Sequence, residues 1–540
     1  RIIATKDANK GQPANGSPGN LSHVFRSIDR PETPEVSKQP TGNINPACNP
    51  VGKPWDPNWP CFTYPKPLSS GVNGADPFTP LLRVYEGDKV QVRVLPGAHM
   101  TPHYFTFNGV NWLFEPGTPN DPTATNNSGF RATQPMGISE HWEMLFTTPA
   151  ATKAAAPQTC TGPDGKALVN CTSTDYLYTG NALATGLEHG MWGLMRAYSA
   201  KQADLLTLPN NDPPASNNPI STGCPSYATK TRSYDVTAIT TGLVYNSRQT
   251  GAANTTMVND NAIIYVMTED LKNGNLTKMR IEPLVLRAAA GECVEVKLTN
   301  AVDSSNPVFT QPVALGVPFG PQLNPTYPKT LAEAQNPNFT GWPLTTSRTV
   351  GLHPQLLSYN ATASDGMNVG ANPVQTIPPA SSPPNTLTYR WYAGNPPTAS
   401  SPAIPIEFGS VGLFASDPLL QHPAGLVGAL IVEPKGSSWI CDGGVNCDGT
   451  PNNGKVPISY ASAIVTKTDG TTFREFVVVT QDDATISLGG AAAINYRSEP
   501  MTFRYTNPSG TASQTKCPTL TSPTIDLNSC PDVSRSIGNK

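Results

Sequence analysis

Residues 81–94 read Leu81-Leu82-Arg83-Val84-Tyr85-Glu86-Gly87-Asp88-Lys89-Val90-Gln91-Val92-Arg93-Val94. Apolar and polar side chains alternate on both sides of a Glu-Gly-Asp turn, the period-two pattern of two half-buried β-strands. The plan recurs downstream, where Leu284-Val285-Leu286-Arg287 leads through Ala290-Gly291-Glu292 to Cys293-Val294-Glu295-Val296-Lys297-Leu298. Working outward from the first copy, Tyr104–Gly109, Trp142–Phe146 and Trp192–Tyr198 read as further strands. Around the second copy, Leu387–Tyr392 is a strand, and Gly425–Pro434 is a buried closing strand that parallels Gly190–Arg196. Two copies of one β-sandwich plan are therefore expected, over 76–205 and 230–435.

The remaining segments are punctuation or partial copies. Residues 1–75 are rich in Pro, Asn and Gly without a sustained period, and read as an extension pinned by one disulfide. Residues 206–229 read as a linker. Arg474-Glu475-Phe476-Val477-Val478-Val479 matches Arg232-Ser233-Tyr234-Asp235-Val236-Thr237 as an opening strand. Residues 436–540 are thus expected to hold a linker and the opening strands of a further module, incomplete or strand-exchanged. The copy at 76–205 conversely lacks such a strand. Self-association follows as an expectation, with strands exchanged between the N- and C-terminal modules across a free sheet edge. A single chain in which the two ends meet is the alternative.

Composition agrees with a turn-rich β protein. Gly and Pro make about a fifth of the 540 residues. The formal net charge of −3 gives no electrostatic footprint for nucleic acid. The longest apolar run, Gly425–Val432, is too short to span a bilayer. Ten cysteines include four close pairs in loop-like sequence: Cys48/Cys61, Cys160/Cys171, Cys441/Cys447 and Cys517/Cys530. These read as loop-closing disulfides worth about 3 kcal/mol each. Cys224 and Cys293 either pair with each other or stay as buried thiols. An oxidising, secreted or cell-surface location is expected.

The strand signatures carry a family likeness. "GLVGALIVEP" at 425–434, "LRAAAGECVEVKLTN" at 286–300 and "GLHPQLLSYNATASDG" at 351–366 resemble a multicopper oxidase domain, as do "MGISEHWEM" and "GMWGLMRAY" in the first copy. The resemblance implies tandem cupredoxin-like Greek-key β-sandwiches with long loops. It also implies copper: a type 1 site of two His and a Cys, and an oxygen-reducing cluster held by imidazoles in His-x-His pairs. Such a set needs roughly ten histidines, whereas the chain has seven: His23, His99, His103, His141, His189, His353 and His422. The first His-x-His pair appears as His353-Pro354-Gln355 and the later one as Ala415-Ser416-Asp417; no cysteine adjoins a histidine. A complete copper set within one chain is excluded by this count.

A reduced copper site is a remaining option. Cupredoxin ligands come from a middle strand and from the loop before the last strand, which would bring His99 or His103 together with His189 and Met191. His353 and His422 are candidates in the second copy. Each also has a bland reading, as a packing or surface residue left by the fold. Asp365-Gly366 and Asp482-Asp483 read as turns. No Gly-x-Ser-x-Gly elbow, P-loop, His-Glu-x-x-His or Rossmann fingerprint occurs. Two functions stay open: a secreted structural or copper-binding cupredoxin protein, or an oxidase whose ligands are completed by another chain or segment.

Overall fold

The computed structural model describes residues 20–25, 79–97, 103–114, 129–150, 173–180, 187, 191–199, 205–211, 223–247, 257–310 and 345–499, apart from short internal breaks, and short strands at Cys160–Thr161 and Ala167–Leu168. The described residues are nearly all β.

The alternating segments form two sandwiches. In the first, Leu82–Tyr85, Trp192–Tyr198, Ser173–Thr179, His103–Phe107 and Thr133–Met136 lie side by side in that order. Lys89–Val94 and Trp142–Thr147 form the facing pair. In the second, one sheet runs Met257–Met267, Thr231–Asn246, Cys293–Asn300, Thr386–Tyr392, Ser358–Tyr359. The other runs Leu284–Ala289, Gly428–Glu433, Gly409–Phe414, His353–Pro354. Each sandwich pairs the strand before the acidic turn in parallel with its closing strand, at Leu82↔Met195 and at Leu284↔Gly428. The result is an all-β, tandem Greek-key sandwich fold of cupredoxin type.

The periodicity decides the packing. Val294, Val296 and Leu298 alternate inward against Tyr234, Val236, Tyr389 and Trp391, and none of the three valine and leucine side chains is exposed. Gly428–Glu433 is buried throughout, which explains why its sequence is continuously apolar rather than alternating. One face of its sheet looks into the sandwich. The other carries Val285, Ala429 and Ile431, covered by Ala461 and Val477 of the C-terminal segment.

That segment is a three-stranded antiparallel sheet, Ser438–Asp442, Ser459–Thr466 and Thr472–Phe476, followed by the ladder Thr480–Ala484 with Ala491–Ile494. The opening strand expected at 474–479 thus ends at Phe476, and residues 477–479 lead out of this sheet to the next strand at Thr480. Arg287, fully buried, fixes the docking. Its guanidinium donates to Glu433 at 3.2 Å, to Glu475, and to the Tyr460 carbonyl at 3.3 Å. Arg232 stacks over Trp439 at 4.3 Å beside its own buried pair with Glu292.

Cys224–Cys293 and Cys441–Cys447 are disulfides. The first closes a separation of 69 residues, worth about 4 kcal/mol by chain entropy. The other expected pairs lie outside the described residues, save the backbone of Cys160. No described helix is long and apolar enough to cross a membrane.

Two carboxylates against one guanidinium leave room for a proton. Burial first, then the neighbouring Glu475, push the Glu433 carboxyl up to about 8 from 4.5. The folded state then holds more protons than the unfolded chain between these values, so stability falls as pH rises from 4.5 to 8. We expect amide protection in Ser459–Thr466, taken relative to each amide's intrinsic exchange rate at the same pH, to fall over that range. Glu433→Gln should flatten the dependence; an unchanged slope in this variant would contradict the assignment.

Candidate functional site

The His353–Pro354 strand pairs with Leu413–Phe414, which sets His353 beside Ala415, the position of the second His-x-His pair. Its approach to the next turn requires glycines. A Cβ on Gly351 would stand 1.9 Å from the Gly366 carbonyl, and Gly366 has φ +75° with Leu352 O pressed against it. This close crossing places Asp365 on His353. Nδ1 of His353 meets the Asp365 carboxylate at 2.6 Å and the Asp365 carbonyl at 2.8 Å. A carbonyl only accepts, so Nδ1 donates and Nε2 keeps its lone pair. Nε2 is buried without a hydrogen-bond partner. Asp365 is held in turn by its N–H to Gln375 Oε1 (2.7 Å) and by the Tyr359 hydroxyl at 3.4 Å. The turn reading of Asp365-Gly366 holds only for Gly366, which lies at a bend with positive φ; Asp482-Asp483, also read as a turn, lies instead within the Thr480–Ala484 strand at a register shift of its ladder.

His422 is committed elsewhere. Its Nε2 accepts the Ala415 N–H at 2.9 Å, and its ring lies 5.3 Å from Phe414. Burial first, and His353 second, push its pKa down to about 4 from 6.5. The imidazole is neutral with its proton on Nδ1, so neither nitrogen offers a metal a free lone pair.

Ala415-Ser416-Asp417 has become a hydrogen-bonded plug. Asp417 Oδ2 accepts from Ser347 N, and Oδ1 from Leu419 N and Leu420 N, each at 3.0 Å. Burial still raises the Asp417 pKa from 3.8 to about 6 against these bonds. Gln421 donates to the carbonyls of Ser347 (2.9 Å) and Thr349 (2.8 Å) and accepts from Asp417 N. Ser416 and Ser347 meet the Ser22 hydroxyl at 2.8 and 2.9 Å. Ser22 belongs to residues 20–25, which the sequence placed in a featureless extension. Leu21 and Phe25 nevertheless sit in a buried cluster with Leu177, Leu194 and Leu420. The signal was there but short: Leu21, Val24, Phe25 and Ile28 follow Asn20 at i, i+3, i+4 and i+7, a brief helical pattern that the surrounding Pro- and Asn-rich tract hid.

These residues do not fit a multicopper cluster. His353 offers one nitrogen, Ala415 offers none, and the Asp417 oxygens are occupied by backbone N–H groups. Among the described residues no group of three or more His, Cys, Asp or Glu could hold a metal ion.

In the first sandwich, His103 begins a middle strand and Met191 precedes the last one. His103 shares the side of Phe105 and Phe107, and Met191 that of Met195 and Ala197, all in one cluster. The register places Met191 opposite Gly180, across from Phe105. From strand spacings, the Cα atoms of His103 and Met191 stand about 12 Å apart on the same face. His99 and His189 lie outside the described residues.

No protein-family model matches the chain, and no curated protein matches it. Among solved structures it is similar to a copper nitrite reductase from Nitrosomonas europaea, at 12% identity over 67% of this chain and 84% of that one, with a TM-score of 0.16. A blue copper oxidase from the same organism shows 12% identity over 65% and 76%, TM-score 0.16. A laccase from Botrytis aclada shows 11% identity over 65% and 53%, TM-score 0.17, so the aligned part spans about half of that laccase. At such scores the strand order described above, and not superposition, carries the sandwich assignment.

Because the unfolded histidine titrates near 6.5 and the folded one near 4, the unfolded state binds more protons between these values. His422 therefore costs stability as pH falls from 6.5 to 4, by no more than about 3 kcal/mol. His422→Gln keeps an acceptor for Ala415 N–H and should remove that loss in urea melts compared at pH 7 and pH 4.5. A wild-type slope that persists in the variant would show that His422 is not its source.

Proposed function

We propose that this chain is a secreted cupredoxin-type protein without a complete copper site of its own, with a structural, assembly or copper-binding role. The supporting observation is that Gln355, Ala415 and the backbone-capping Asp417 stand, near His353, where the resemblance calls for three further imidazoles. Loss of three ligands removes the cluster that oxygen reduction requires. The disulfides favour an extracellular or cell-surface setting. The domain plan within this proposal is an extension to residue 75, sandwiches over 76–205 and 230–435 joined by a linker at 206–229, and a linker with an incomplete or strand-exchanged module over 436–540. Strand exchange between copies belongs to the same proposal.

Copper binding remains part of it in the first sandwich. His103 and Met191 share one sheet face, where His99 and His189 could join them as a mononuclear site. His353, braced by Asp365 as metal-bound imidazoles are braced by carboxylates, has a free Nε2. That nitrogen favours the second reading, an oxidase whose remaining ligands come from another chain or segment.

Copper analysis after reconstitution and desalting tests these readings. We expect no more than about one copper per chain and no absorption near roughly 600 nm. His103→Ala and His189→Ala should each abolish the bound copper, and His353→Ala should not. Three or four coppers per chain with a blue band would overturn the proposal in favour of the oxidase.

A further inference from the structure

Two described surfaces of this chain are each half of a joint whose complete form the second sandwich displays. There, Thr231–Asn246 pairs in parallel with Cys293–Asn300, in register Arg232↔Val294, Tyr234↔Val296 and Val236↔Leu298. This lays Tyr234, Val236 and Ala238 beside Val294, Val296 and Leu298, and all six are buried. In the first sandwich the corresponding strand, Lys89–Val94, pairs only with Trp142–Thr147 among the described residues. Its inward Val90, Val92 and Val94 are only partly buried. Among the described residues that core is open on the side where the second one is sealed.

The matching half is the C-terminal sheet. By the sequence match, Arg474, Phe476 and Val478 correspond to Arg232, Tyr234 and Val236. Where Tyr234 is 2% exposed, Phe476 is 68% exposed and Val478 62%. Ile464 and Ile440, paired across the sheet and on the side of Phe476, are 45% and 50% exposed. The opposite side is engaged, with Glu475 on Arg287 and Val477 against Val285. Thr472–Phe476 is an edge strand, paired on one side only with Ser459–Thr466 among the described residues.

We infer that the Thr472–Phe476 edge of one copy pairs in parallel with the Lys89–Val94 edge of a second copy, so that Phe476 and Val478 close the first sandwich of their neighbour. The occupant is a second copy because Arg287 anchors the C-terminal strand to its own second sandwich, in a sheet separate from Lys89–Val94. Transferring the observed register places Phe473 opposite Lys89 and Phe476 opposite Val92. Main-chain bonds along the two edges supply the pairing, and the inward side chains select the register. The contact joins two different surfaces, so it repeats head to tail and yields closed rings or open filaments. This inference rests on the proposed self-association and is independent of copper.

Sedimentation and light scattering of the full chain in EDTA, from about 1 to 100 μM, test it directly. The mass should rise with concentration beyond that of one chain. Phe476→Asp and Val478→Asp change exposed side chains and should shift association to concentrations about tenfold higher or more, with an unchanged circular dichroism spectrum. Mixing a Lys89→Cys chain with a Phe473→Cys chain should give a disulfide-linked dimer under mild oxidation. Replacing the Phe473→Cys partner with Ser438→Cys, on the far edge of that sheet, should give none. A chain that stays monomeric throughout, or oligomers indifferent to Phe476→Asp, would overturn the inference whatever the copper content proves to be.

Discussion

The buried guanidinium of Arg287 is the interaction on which the described architecture depends. It projects from Leu284–Ala289, while its backbone carbonyl accepts the Tyr234 hydroxyl from the opposite sheet at 2.5 Å. Its side chain reaches the closing strand through Glu433 and the C-terminal sheet through Glu475 and the Tyr460 carbonyl. A buried charge with one partner removed costs several kcal/mol, far more than an exposed pair contributes. The constraint therefore fixes where the C-terminal sheet can sit. It also determines which of that sheet's faces is left outward, and so links core packing to assembly.

The region around His353 illustrates a second constraint, that buried polar groups must be satisfied. An imidazole cluster would satisfy its nitrogens with metal. Here Ser22, Ser347, Asp417 and Gln421 satisfy one another and the surrounding backbone, and His422 caps the Ala415 N–H. The N-terminal segment 20–25 becomes part of the sandwich in consequence. His353 keeps its carboxylate brace and a lone nitrogen, the one element of the arrangement that still has the form of a ligand.

Much of the fold was legible because its signals are local. Alternation located Lys89–Val94 and Cys293–Asn300, and a continuous apolar run located Gly428–Glu433. That Ala415-Ser416-Asp417 takes the place of a His-x-His pair was legible through the resemblance. What escaped depended on contacts distant in sequence. Nothing in Leu21-Ser22 marks it as the partner of residues more than 300 positions away. Asp365 looked like a turn residue because a glycine follows it, and its acceptor role follows only from the glycine crossing that sets it against His353. Arg287 occupies a strand position that alternation cannot identify as buried on both faces.

The proposal rests on Ala415-Ser416-Asp417, the stretch whose place resembles that of a copper-binding His-x-His pair, being a hydrogen-bonded support. Anomalous diffraction at the copper edge, from crystals grown with excess copper, tests it most directly. We expect no cluster of copper peaks at His353 and an intact Ser22–Ser416–Asp417–Gln421 network. Two or more copper ions between the His353 and Ala415 strands, one of them about 2 Å from His353 Nε2, would contradict it.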